Sequence, residues 1–155
     1  MEQLFAGRRI NISDMLQRLE QTAARHGLPF GERRMSFNSR RAQEAAKWAE
    51  SHGKADAFHY AVFRAYFVEG KNLHEIETLA AAAESVGLRG VDLEAVLQNK
   101  TFKAAVDRDW LRSHHLSITA VPTFRMNAEN LVGAQPYEQL AAFMAAQHVP
   151  PRNAN

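Results

Sequence analysis

The 155 residues carry seven histidines and no cysteine, so the groups left for chemistry are imidazoles, hydroxyls and carboxylates. Without a thiol the chain supplies no structural disulfide, no Cys-based metal site and no thiolate nucleophile. His114 and His115 are adjacent, and on a helix they point about 100° apart, so they do not clamp one ion. His52 and His59 are too loosely spaced to define a site, and no His-Glu-x-x-His pattern exists; no metal is expected. Ser36, Ser39, Ser51, Ser85, Ser113 and Ser117 include none within a Gly-x-Ser-x-Gly elbow. Gly87, Gly90 and Gly133 are scattered at helix ends and turns and form no phosphate-binding loop. One spot has a different character. Val121-Pro122-Thr123 puts a proline at the start of a β-like run, where its ring restricts the backbone and removes one donor.

The elements that must position these groups are mostly helices. Met15, Leu16, Leu19 and Ala23 follow Ile12 at helical spacing, with Ser13 or Asp14 expected as N-cap and Gly27 and Pro29 as the stop after His26. Leu28-Pro29-Phe30-Gly31 reads as a turn. A second helix is expected after Asn38-Ser39, good capping residues, with a stripe of Ala42, Ala45, Ala46 and Ala49 and an end at Gly53. A third, from about Asp56 to Glu69, carries Phe58, Val62, Phe63, Tyr66 and Phe67, a face broad enough for burial on most sides; Gly70 stops it. Helices near His74 to Val86, with Gly87 as cap, after Asp92, and from Thr101 to His115 come next. The last has Phe102, Val106 and Trp110 four apart.

At Ile118 the pattern changes. Val121 to Met126 reads as a strand, Asn127 to Asn130 as a polar turn, and Leu131-Val132 as the returning strand. Pro136 is expected at the first position of a final helix, with Glu138 in its first turn and Leu140, Phe143 and Met144 on its apolar face. Residues 149–155 are expected to be a disordered tail. The fold class is therefore α+β and predominantly helical. A lone two-stranded hairpin is barely stable and leaves two pairing edges, so it must be covered by helices or receive strands from elsewhere.

Bulk properties narrow the rest. The hydrophobic fraction of 46% and charged fraction of 23% are those of an ordinary globular chain. Its apolar stretches are too short and too broken for a membrane span. Glu2 follows Met1 with no apolar stretch behind it, so no secretory signal is expected. The basic pairs Arg8-Arg9, Arg33-Arg34 and Arg40-Arg41 read as solvated helix ends and loops. They lack interleaved aromatics, and nucleic acid is not expected as a partner.

Four stretches carry a family resemblance: Phe37-Asn38-Ser39-Arg40, Phe63 to Gly70, Ile118 to Phe124, and Val132-Gly133-Ala134-Gln135-Pro136-Tyr137. Together, with their spacing, they resemble the back part of DsbA-like thioredoxin-fold proteins, in the FrnE-like and 2-hydroxychromene-2-carboxylate isomerase-like branch. The likeness runs from about Leu4 to Phe143. It implies one domain over 1–148, with a helical insertion at about 10–115 and the C-terminal ββα of an incomplete thioredoxin fold at about 118–148. The family's opening strand, Cys-x-x-Cys helix and second strand have no counterpart here.

The resemblance further implies a cis bond at Val121-Pro122 and a backbone there that pairs with an extended substrate segment. Val121, Pro122 and Thr123 are the substrate-binding candidates, and Asn38 a fourth, since a matching pair opens the equivalent helix near the family's active face. Capping alone also accounts for Asn38. The family activity is protein-disulfide oxidoreductase, with protein or thiol substrates in the cytoplasm. The chain itself is expected to be inactive alone, because thiol–disulfide exchange needs a sulfur. Alternatives are a non-catalytic module that dimerises or pairs with a separate N-terminal half through the open sheet edge, and a fragment of a glutathione-dependent isomerase or transferase. In the last, glutathione would enter only with the opening unit; no cofactor is expected in these residues. An artificial trim or a misplaced start codon would also account for the missing unit.

Overall fold

A computed structural model of the chain describes residues 12–32 and 35–150. Among them the order is α1 (Ile12–Arg25), α2 (Arg40–Ser51), α3 (Ala55–Phe67), α4 (Ile76–Ser85), α5 (Gly90–Gln98), α6 (Lys103–His115), β1 (Thr123–Met126), β2 (Glu129–Val132) and α7 (Tyr137–Ala146). They form two compact units, divided between Val106 and Asp107 within α6. The fold is predominantly helical, with a single two-stranded antiparallel sheet among the described residues. The basic pairs Arg8-Arg9 and Arg33-Arg34 and the tail beyond Pro150 lie outside those residues.

The first unit is built on small residues. Ala45, Ala49 and Ala83 are completely buried, so the helices carrying them, α2 and α4, can approach closely with few side-chain rotamers to freeze. The larger Phe58, Leu79 and Leu93, also completely buried, fill the space among α2, α3, α4 and α5. Burial of each removes it from water for a gain of about 2–3 kcal/mol. Trp48 joins this core. Beside it Glu44, on α2, is nearly buried yet satisfied by the Arg40 guanidinium, whose Nε donates to Glu44 Oε1 at 3.1 Å. Arg40 also donates to the Lys103 carbonyl at 3.0 Å, and Arg41 to the His74 carbonyl at 2.8 Å. Arg40 and Arg41 are thus engaged by the fold and are not merely solvated.

Most helices end where expected, on glycine. At the end of α1 Gly27 (φ 64°) donates to the Ala24 carbonyl at 3.0 Å and Leu28 to that of Ala23 at 2.9 Å, a Schellman close. The same pair of bonds closes α5, α6 and α7 with Lys100, Ser117 and His148 at positive φ. Those three stops lack glycine, although α6 ends at His115 as expected.

Several expectations shift. Ser13 and Asp14 lie inside α1 rather than at its N-cap position. On α3 only Phe58, Val62 and Ala65 are buried, while Phe63 stays exposed, so the helix is buried along one stripe rather than on most sides. Trp110 is exposed although it continues the spacing of Phe102 and Val106, and Met144 is exposed on α7. Pro136 is the N-cap of α7, one position before the expected site.

The second unit holds the hairpin. Thr123 pairs with Val132, Phe124 with Leu131, Arg125 with Asn130 and Met126 with Glu129. The loop is only Asn127-Ala128, shorter than the four residues expected, and Asn127 takes the positive φ that tight hairpin turns require. None of the described residues from Asp107 onward is buried.

Candidate functional site: the loop before the hairpin

Two polar ties hold the loop Ile118 to Pro122 in place. At its start, Ser117 in left-handed backbone closes α6 and lets the Ile118 N–H reach the Ser113 carbonyl at 3.0 Å. Across from it, Arg125 and Asn130, opposite each other on the two strands, converge on the end of α6. Arg125 Nη1 donates to Asn130 Oδ1 at 2.8 Å and to the Leu116 carbonyl at 3.2 Å; Asn130 Nδ2 also donates to that carbonyl at 3.2 Å. A carbonyl left over by the helix end is thereby satisfied, and the hairpin is locked to the helix that precedes the loop. Neither residue figured among the sequence candidates. The expected four-residue turn hid the pair by placing Asn130 in the loop; only the two-residue loop sets it opposite Arg125.

The Val121-Pro122 bond is cis. Around it the backbone acceptors are already taken. Thr123 Oγ1 donates to the Ala120 carbonyl at 2.7 Å, and the Gly133 N–H donates to the Pro122 carbonyl at 2.8 Å. Val121 differs. Among the described residues nothing bonds its N–H or its C=O, and the residue is 88% exposed. The site is thus one residue whose backbone N–H and C=O are both unpaired, between carbonyls that are bonded, and such a residue offers a donor and an acceptor to another extended backbone.

Thr123 therefore positions the loop through its hydroxyl. Asn38 lies in the first unit, whereas Val121, Pro122 and Thr123 lie together in the second. Asn38 Oδ1 accepts from the Arg40 N–H at 2.9 Å. The oxygen that serves the start of α2 thus comes from Asn38 and not from the N-cap residue Ser39, which makes no side-chain capping bond. The Asn38 Nδ2 has no partner among the described residues. The imidazoles His114 and His115 sit with ring centroids 6.3 Å apart and planes at 66°, an arrangement that does not aim both at one point.

Helices, a cis-proline loop, a hairpin and a closing helix are the order in which the DSBA-like thioredoxin domain ends, and the model of that family matches residues 5–145. The chain belongs to this family. Among relatives of the DSBA-like chain, the YwbO protein of Bacillus subtilis, whose function is not assigned, is 34% identical over 93 residues. Those residues make up 59% of the chain and 46% of YwbO, so the chain spans about half of that relative's length. Among solved structures, 2-hydroxychromene-2-carboxylate isomerase aligns with a TM-score of 0.71 at 22% identity, over 88% of this chain and 66% of that one. A candidate protein disulfide isomerase from Nitrosomonas europaea aligns with a TM-score of 0.63 at 17% identity, over 88% of this chain and 74% of that one. At such identities the two structures establish the fold of the DSBA-like chain. Among its described residues no helix is long and apolar enough to cross a membrane.

Proposed function

We propose that these residues form the polypeptide-binding part of a DsbA-like thiol–disulfide oxidoreductase and perform no redox step alone. The observation that carries this reading is exposed Val121, whose own N–H and C=O are unbonded among the described residues while the carbonyls of Ala120 and Pro122 are engaged. An extended segment adds to such a unit by main-chain hydrogen bonds, which recognise backbone whatever its sequence. Asn38 Nδ2, in the other unit, is proposed separately as a substrate-binding donor. Exchange itself requires a thiolate to attack a disulfide sulfur, and the 155 residues hold no cysteine. The thiol must then come from residues outside them, in a cytoplasmic setting like that of the branch it resembles. Glutathione belongs to the proposal only together with such residues.

The test uses reduced, alkylated insulin B chain as an unfolded ligand, followed by amide NMR of the whole chain. Saturable shifts are expected at Ala120, Val121 and Thr123, and Val121→Asp should weaken binding at least fivefold without altering the helical circular dichroism. No shift at these amides would overturn the reading. In the companion assay the pure chain should reduce insulin with dithiothreitol no faster than buffer, and robust turnover would sink the argument from the absent sulfur. A second reading, a module that pairs through the hairpin's free edges, is favoured by the two-strand sheet with its exposed Phe124 and Val132. Light scattering separates them: a tight dimer supports self-pairing, a monomer that binds the B chain supports strand addition.

A further inference from the structure

The first unit contains a cleft that the proposed function leaves unused. It lies between the end of α1 with the segment after it, and the face of α3 that the core does not cover. Ala23, Leu28 and Phe30 form one wall, and Tyr60, Phe63 and Phe67 the other. Phe67 holds the two together, since its ring lies 6.3 Å from that of Phe30 and 6.1 Å from that of Phe63, and its carbonyl accepts the Gly31 N–H at 2.8 Å. The cleft encloses about 250 Å³. At the ~30 Å³ that a water molecule takes in the liquid, it has room for roughly eight heavy atoms. Tyr60 and Phe63 are largely exposed at its mouth, an arrangement that costs apolar hydration and marks binding surfaces.

One lining residue is charged. Arg64 stands at the edge, with Nε 3.3 Å from Glu69 Oε1. Lys71 Nζ lies 2.8 Å from Glu69 Oε2. Two cations therefore share one carboxylate, which leaves one surplus positive charge beside an apolar cleft. The hydrogen bond from Lys71, reinforced by the charges of Lys71 and Arg64, holds the Glu69 carboxyl below its ordinary pKa. Glu69 fixes the guanidinium through Nε alone. Among the described residues the two Nη groups of Arg64 have no partner, and they form the fork that matches a carboxylate.

We infer that this cleft binds a small amphipathic carboxylate, with an apolar body of roughly eight heavy atoms among the rings and its carboxylate on Arg64. Apolar burial supplies the attraction, and the guanidinium selects the head group. None of these residues belongs to the Val121 loop, so the inference stands or falls separately from the proposed function.

The experiment titrates the full chain with octanoate and, in parallel, with 1-octanol, and reads amide shifts. Saturable shifts are expected at Gly31, Phe63 and Val68, with octanoate at least fivefold tighter than octanol. Arg64→Gln should bring that ratio to about one while octanol binding is unchanged, and Arg64→Lys should restore part of it. Phe63→Ser, at an exposed position that folding tolerates, should weaken both ligands. Equal affinity of the two ligands for the native chain would overturn the inference, as would a ratio unaffected by Arg64→Gln. It would also fall if the chain dimerised through this face, that is, if Phe63→Ser abolished a dimer that octanoate fails to dissociate.

Discussion

The two units of this chain solve the problem of burial in opposite ways. From α2 to the first turn of α6, fifteen described apolar residues of the first unit lie below a tenth of their full exposure, in a core of alanines around Phe58, Leu79 and Leu93. The second unit buries none of its described residues. Its hairpin and α7 are held by polar ties instead: Arg125 and Asn130 on the end of α6, and Asn127 Nδ2 on Gln147 Oε1 at 2.8 Å. Each such bond contributes only about 1 kcal/mol net, whereas one large core side chain contributes two or three times that. The helical unit therefore carries the stability, and the hairpin unit carries the unpaired backbone. The accessible backbone and the core are kept apart because an exposed, unpaired peptide group and a dry core are incompatible in one place.

Removing one side chain from each unit should give the largest contrast between them. Phe58→Ala should cost about 3–5 kcal/mol and unfold the first unit in mild denaturant, while Leu140→Ala, half-buried on α7, should cost about 1 kcal/mol or less. Urea titration followed by amide exchange resolves the two. Comparable losses would mean that the second unit has a core of its own.

A smaller effect is expected at Gly31. A Cβ added there would collide with the Val68 backbone carbonyl, at the point where the Gly31 N–H meets Phe67. Gly31→Ala should cost about 1–3 kcal/mol and loosen the segment after α1, seen as faster exchange at Leu28 to Gly31 with α4 and α5 unchanged. An unchanged melting temperature would show that this approach is not tight.

The smallest effect concerns two matching helix ends. Lys100 and Ser117 hold the same left-handed helix close, one in each unit. Replacing either by glycine relieves about 1 kcal/mol of backbone strain. Lys100→Gly should raise the denaturation midpoint of the whole chain. Ser117→Gly should slow exchange only around Leu116 to Ile118, because global stability resides elsewhere. Equal global gains would contradict the division of labour.

Much of this architecture could be read along the chain. The helices of the first unit announce themselves by spacing, and Gly27, Gly53 and Gly87 stop them as expected, because left-handed backbone is nearly free of cost for glycine. Lys100 and Ser117 adopt the same backbone without such a preference, and even His148, a type that tolerates it better, lacks the freedom of glycine. Ala45 and Ala49 marked the close-packed face of α2, yet Trp48 and Glu44 beside them gave no sign of burial. Whether a tryptophan lies inside, as Trp48 does, or outside, as Trp110 does, depends on which helix arrives against it.

The candidate site divides along the same line. That a proline opens the first strand and that no thiol is present were properties of the sequence. They settled which chemistry these residues cannot supply. Tertiary structure decided which backbone groups are left unbonded. The Thr123 hydroxyl takes the Ala120 carbonyl and the Gly133 N–H takes that of Pro122; the second of these bonds exists only because the hairpin returns. It also decided that Arg64 meets a cleft of aromatic rings, since α1 and α3 are separate stretches until the Gly31–Phe67 bond joins them. Local preference is written residue by residue, but the partner of a donor, and hence which donor is left over, is set by contacts between stretches distant in sequence.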